Sequence, residues 1–382
     1  MLTFLKTTTL FEVETMKKIV KSSVILFSTL AISTGAYAKV DVSQDVEIFS
    51  EKTKDPEALT VSPDGKTLFW IARKSQTTKL EAIDAWYSDT TNINETKINR
   101  PFLNIYTMAS YGGEDKMIID HEYGRFVALM KTLYAKYVQK KDEPVGYKSC
   151  IDILDIKTSK VEKKLCPKDL GLENDELVAH ARMSPDHNWI TFYIKGTSSP
   201  AGIYLYNLNN QKVFFLGEHN DKHPTWTNDG KKILFHFQRG GNVKDNDTVE
   251  QSYIGYYDVE LDSEKLISSN RHLLDNPDEK TTYTYQKHPV LIGGTNLVIY
   301  HGQEKADGSK KLFIRKLKEG SKEHELSFNY NACKIKSMKH PSIGFEDHYL
   351  YFVGKVECKD VKSEAKILRM DTGTIVDSMK KD

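Results

Sequence analysis

The chain has 382 residues with 54 basic and 53 acidic side chains, a formal charge of +1 at neutral pH, so the strongly basic footprint of a nucleic-acid binder is absent. No Pro-rich, Gly-rich or low-complexity tract divides it, which favours one large domain over several.

The first element in chain order is an export signal. Lys17, Lys18 and Lys21 precede an apolar run from Val24 to Ile32, and small residues then lead to Ala36-Tyr37-Ala38. This is the order of a secretory signal peptide, with an apolar run far short of the ~20 residues of a spanning helix. Residues 1–38 are therefore expected to be removed, with Met16 as an alternative start, leaving 39–382 as a single mature domain. Without the leader the chain holds 50 basic and 51 acidic residues.

All four cysteines, Cys150, Cys166, Cys333 and Cys358, lie in the mature part, and an even count in an exported chain points to two disulfides. The segments after Cys150 and before Cys166 read as two strands around the polar turn Lys157-Thr158-Ser159-Lys160, which sets these two cysteines across a hairpin. Cys333 is then left for Cys358.

A repeat fixes the architecture. His180-Ala-Arg-Met-Ser-Pro-Asp, His223-Pro-Thr-Trp-Thr-Asn-Asp-Gly, His288-Pro-Val-Leu-Ile-Gly-Gly and His340-Pro-Ser-Ile-Gly-Phe-Glu align without gaps, each running into an apolar strand; Ala58-Leu-Thr-Val-Ser-Pro-Asp-Gly is a fifth copy without the histidine. Each copy reads as strand, tight turn, strand. A second hairpin follows at Ile203, Gly255, Leu312 and Ile367, the last one paired with Thr374-Ile-Val. Four strands per unit make a propeller blade, so the expected fold is all-β, a six-bladed β-propeller of four-stranded antiparallel blades. The blade between residues 58 and 180 has an open register. It starts either at Arg100-Pro101-Phe102, with Lys116 to Ile119 in its second strand, or near Asp120, with Arg125 to Met130 there. Either choice gives six blades, and counting both segments as blades gives seven. The strand at Val46 to Phe49 is expected to help close the ring against the last blade.

The elements Ser62-Pro63-Asp64-Gly65-Lys66, Ser184-Pro185-Asp186 and Asn228-Asp229-Gly230-Lys231 resemble the WD40-like repeat signature of TolB-like propellers, over about residues 50 to 380. That resemblance implies a periplasmic protein that grips partner proteins at the mouth of its channel. The α/β domain that precedes the propeller in TolB itself has no room here.

The histidines His180, His223, His288 and His340 share one repeat phase, at the expected start of a channel-lining strand, and His236 and His301 share another. Converging imidazoles could hold a divalent transition metal. A ring of about 10 Å, too wide for one ion, is the structural alternative, with no cofactor required. Arg182 and the lysines Lys222, Lys287 and Lys339 accompany the in-phase histidines. A resemblance to oligogalacturonate lyases, propellers with related repeats, implies a histidine-held manganese acting on a uronate carboxylate. No lyase motif accompanies it, and Ser62 and Ser184 precede Pro rather than sit in a nucleophile elbow. Asp245-Asn246-Asp247 with Glu250 reads as a solvated turn.

The leading expectation is a monomeric, non-enzymatic, periplasmic scaffold. It would bind an envelope protein or a small or carbohydrate ligand through the face formed by His180, Arg182, His223, His288 and His340. The long segments from Lys131 to Tyr147 and from Gln238 to Gln251, together with both disulfides, are placed at the same face. The alternative is a metal-dependent carbohydrate-active enzyme.

Overall fold

A computed structural model describes residues 38–380 except 51–52, 54–55, 63–64, 73–83, 98–104, 111–115, 123–148, 156–157, 159, 174–177, 195–198, 218–219, 239–250, 277–284, 304–307, 332, 345–347 and 360–362. The leader, the Asp245 turn and most of both long segments therefore lie outside the described residues. Among those described, no helix is long and apolar enough to cross a membrane.

The strands form antiparallel meanders. In chain order, β1 (Ala38–Asp45) and β2 (Glu47–Ser50) are followed by a meander of β3 (Pro56–Val61), β4 (Thr67–Ala72), β5 (Asp84–Asp89) and β6 (Thr96–Lys97). The next comprises β7 (Ile105–Ser110), β8 (Lys116–Glu122), β9 (Ser149–Asp155) and β10 (Val161–Leu165). Its second strand holds Lys116 to Ile119, as in the first of the two registers read from the sequence; Arg100 to Phe102 and Arg125 to Met130 lie outside the described residues. Then come β11 (Val178–Met183), β12 (Trp189–Ile194), β13 (Gly202–Asn207) and β14 (Val213–Phe215). The nine-stranded sheet joins two further meanders through one parallel bridge, Ser252 to Tyr285. One is β15 (Asp221–Trp226), β16 (Lys232–Gln238), β17 (Ser252–Leu261) and β18 (Leu266–Leu273); the other is β19 (Tyr285–Leu291), β20 (Leu297–Gln303), β21 (Lys311–Lys316) and β22 (His324–Asn329). The last contains β23 (Lys334–Ser342), β24 (Tyr349–Glu357) and β25 (Glu364–Asp371).

Thr374 to Val376, expected to be the fourth strand of that meander, instead lies in the helix α1 (Thr372–Lys380). The physical reason is that the free edge of β25 is already taken: β2 pairs antiparallel to it, Glu47 opposite Arg369 and Ile48 opposite Leu368. The tail folds back as a helix that buries Ile375 in the same core as Val40 and Val42 of β1, while β1 runs parallel to β22.

The inner strands are apolar on both faces, since each meander is packed from two sides. All six residues of β12 and all seven of β20 are buried. The repeat signature is turn chemistry. Ser184 Oγ accepts the Trp189 amide and donates to Asp186, Thr227 does the same with Lys232 and Asp229, and Ser62 Oγ accepts the Thr67 amide. Gly65, Gly230 and His187 occupy the same turn position with φ of 70°, 68° and 59°, the left-handed region that favours glycine.

Both disulfides have the expected pairing, Cys150 with Cys166 and Cys333 with Cys358. Each links the edges of paired strands: Lys334 sits opposite Glu357, which sets Cys333 beside Cys358. Two disulfides fit an oxidising compartment.

The first and last meanders are in contact. Phe49 of β2, 3% exposed, meets Trp70 edge-on at 6.5 Å and Tyr351 at 5.4 Å between ring centroids, and the Val61 amide donates to Ser342 Oγ at 2.9 Å. Phe49→Ala leaves a cavity at this junction and is expected to cost about 3–5 kcal/mol in urea unfolding. A loss below about 1 kcal/mol would show that the junction does not hold the domain together.

Candidate functional site: a histidine cluster on repeated bulges

In five meanders the first strand carries the same irregularity. The pairing register shifts between Glu57 and Thr60, Ala179 and Arg182, Lys222 and Thr225, Lys287 and Val290, and Lys339 and Ser342. Within each bulge one residue has positive φ: Ala58 (49°), His180 (60°), His223 (53°), His288 (55°) and His340 (54°). The histidines thus sit inside the strands, not at their starts as expected. A bulge re-aims its side chain and bends the strand, and His, with Asn and Asp, tolerates the left-handed region better than most residues. Pro224, Pro289 and Pro341 follow three of them, which a strand accepts at a bulge because the ladder has already lost a hydrogen bond there.

The consequence is a compact cluster, not a ring 10 Å across. Ring centroids lie 3.6 Å apart for His180 and His223, 4.1 Å for His223 and His288, and 4.8 Å for His288 and His340. His236 on β16 and His301 on β20 lie behind, 4.5 Å from His223 and 5.0 Å from His288 respectively. The four in-phase histidines are half-buried, whereas His236 and His301 are buried. Their hydrogen bonding is incomplete: neither nitrogen of His236 has a partner, nor has His301 Nε2 or His223 Nδ1. His301 Nδ1 accepts from the His340 amide at 3.4 Å.

Cations surround the imidazoles. Lys222 and Lys287 lie across the strand pairs from His236 and His301. Burial first, then the charges of Lys287, Arg182, Lys310 and Lys339, hold His288 down at about 3. His180, His223, His236 and His301 are likewise held well below the usual imidazole range, in each case mainly by burial. Lys310 is itself lowered by burial and by Lys339 and Lys287. Lys287 stands over the Tyr285 ring at 4.4 Å, Lys310 over the same ring at 5.8 Å, and Glu57 pairs with Lys339 at 3.0 Å.

All six candidate histidines and Arg182 are therefore brought together. Two further participants, Glu57 and Lys310, escaped the sequence reading. Glu57 was legible, since it occupies the repeat phase of Lys222, Lys287 and Lys339, one residue before the bulge. Lys310 precedes β21 outside any repeated phase and carries no signal. Neutral imidazoles with unpaired nitrogens are suitable donors for a metal, but as they stand they do not converge. Two imidazoles on one ion at about 2.1 Å need centroids roughly 4.5 Å or more apart, wider than the first two spacings. Among the described residues no group of three His, Cys, Asp or Glu side chains is arranged to hold a metal ion.

Comparison with known proteins places the architecture. No family model matches the chain, and no curated protein matches it in sequence. Among solved structures, TolB from Acinetobacter baumannii is similar with a TM-score of 0.51 at 15% identity, over 76% of this chain and 57% of that one. The chain thus spans little more than half the length of that neighbour. Oligogalacturonate lyase from Vibrio parahaemolyticus gives a TM-score of 0.48 at 13% identity, over 85% and 79% of the two chains. The β-propeller domain of the trilobed protease from Pyrococcus furiosus gives 0.44 at 14%, over 83% and 81%. The chain has a TolB-like propeller fold; at these identities the likeness concerns fold alone.

The cluster makes stability pH-dependent. The five depressed imidazoles stay neutral in the folded protein but protonate near 6.5 when unfolded, so acid favours the unfolded state. Stability is expected to fall as pH drops below about 6.5, by up to about 1.4 kcal/mol per unit for each imidazole, until the folded values are reached. Glu323, raised to about 7 by burial, acts in the opposite sense: its contribution is present at low pH and lost as pH rises through that value. One carboxyl is outnumbered, so melting temperature should decrease from pH 7 to 5. His236→Phe, which removes two unpaired buried nitrogens, is expected to raise stability by about 1–3 kcal/mol and to flatten that slope. An unchanged slope would show that His236 is not part of a neutral buried cluster.

Proposed function

We propose that this chain is an exported, non-enzymatic binding scaffold, a six-bladed TolB-like propeller that receives a periplasmic ligand or partner on its histidine face. One observation supports this above others: four of five copies of a strained bulge each deliver a histidine, backed by His236 and His301, to one place with incompletely satisfied hydrogen bonding. Left-handed non-glycine residues cost on the order of 1–3 kcal/mol each, and such strain concentrates at binding sites. Burying unpaired imidazole nitrogens adds to that cost and favours a ligand that would satisfy them. The serines of the repeat are engaged in turns, which leaves them no role as nucleophiles.

The test compares wild-type protein with His223→Ala and His288→Ala. After incubation with envelope extract and washing, each is analysed by mass spectrometry for retained small molecules and proteins and by elemental analysis for metals. A species held by wild type at near-stoichiometric amounts and lost from both variants is the expected result. Retention of the same species by all three proteins would dismiss this face as the binding site. A stoichiometric transition metal lost from both variants would replace the scaffold reading with the metal-dependent enzyme.

A further inference from the structure

We infer that the histidine face holds a small, multiply charged oxyanion, one carrying two or more carboxylate or phosphate groups. It would be gripped by Arg182, Lys222, Lys287, Lys310 and Lys339, with imidazole N–H groups of the cluster as additional donors. This rests on the scaffold reading and names the ligand chemistry.

The charge arrangement carries the inference. The repeat phase preceding the bulge puts Lys222, Lys287 and Lys339 beside three histidines on three successive meanders, so three cations face one cluster whose rings are only a few ångströms apart. Arg182 and Lys310 act on the same imidazole, His288. Glu57 offsets one of these charges, at Lys339. Like charges held together in a partly buried site repel one another and penalise the protonation of every neighbouring imidazole. A divalent cation would add to that repulsion, whereas an oxyanion relieves it and accepts charge-assisted hydrogen bonds.

A second, independent observation is the unsatisfied polarity behind the cations. His236, with no hydrogen-bond partner on either nitrogen, is wholly buried against His223. Neutral imidazoles each supply one N–H, so the half-buried in-phase histidines in front of His236 can donate to an anion without adding charge. The cationic side chains and the in-phase histidines are only half-buried, so the site opens to solvent, and its compactness suits a small molecule. Cations drawn from separate meanders are better matched by several anionic groups than by one.

Isothermal titration of the mature protein in low-salt buffer tests this with citrate as the carboxylate source, pyrophosphate as the phosphate source and manganese chloride as the cation. Binding of citrate or pyrophosphate is expected, with a raised melting temperature, and whichever binds tighter identifies the acidic group. Lys287→Gln and Lys310→Gln should each weaken it by about tenfold or more. Lys287→Arg should retain it, and the exposed Lys355→Gln should leave it unchanged. Melting curves verify that each variant is folded. Equal affinity in wild type, Lys287→Gln and Lys310→Gln overturns the inference, as does binding of manganese with neither anion. Absence of both anions alongside a retained extract-derived ligand also overturns it, while leaving the scaffold reading in place.

Discussion

The left-handed residue inside the first strand of five meanders is the constraint on which the site depends. A regular strand alternates its side chains between faces, and residues at one repeat phase would then simply face a neighbouring meander. Inserting one residue at positive φ breaks that alternation and turns the side chain out of the packed layer. Because the same bulge recurs in register, the turned side chains meet. His180, His223, His288 and His340 owe their proximity to this and not to any local sequence contact.

Two networks of buried charge elsewhere in the fold are arranged differently. Asp221 is wholly buried but is held by Arg271 through two contacts of 2.8 Å and by the Tyr257 hydroxyl at 2.7 Å. Arg315, 2% exposed, reaches both oxygens of Asp275 at 2.7 Å, and Gln286 bridges Asp275 and Glu323. These networks pair each charge with its opposite and satisfy the remaining hydrogen bonds, the condition under which buried charge is tolerated. At the histidine cluster several cations lie beside the imidazoles, with Glu57 paired to Lys339, and both nitrogens of His236, Nε2 of His301 and Nδ1 of His223 have no hydrogen-bond partner. The same fold thus contains buried charges that are fully paired and buried imidazoles that are not.

Much of this was legible in the residues. The gapless repeat gave the meanders, and the hairpin around residues 157–160 gave the Cys150–Cys166 pair, because short-range strand pairing follows directly from apolar runs and turns. The tail was misread because Thr374-Ile-Val is as apolar as a strand, and nothing local reports that β2, more than three hundred residues earlier, already holds the edge of β25. The bulge was half visible. A His-Pro pair inside an apolar strand is poorly compatible with a regular ladder, yet a positive φ cannot be read from Ala58 or from His180-Ala181, which lack the proline. Of the two separations left open by the sequence, convergence and a ring about 10 Å across, the spacings of 3.6–4.8 Å favour convergence, because the bulges turn the rings toward one another.

Ala58 separates the bulge from the histidines it carries elsewhere. It occupies the same bulge with φ 49°, yet has no imidazole to present. The strained turn therefore persists where no histidine needs it, so the bulge belongs to the fold, and its cost is borne by packing such as that of Leu59, Val61 and Trp70 at the junction of the first and last meanders. Among the described residues histidines occupy the bulges on successive meanders from β11 to β23, while the first meander contributes Glu57, paired with Lys339, and no histidine.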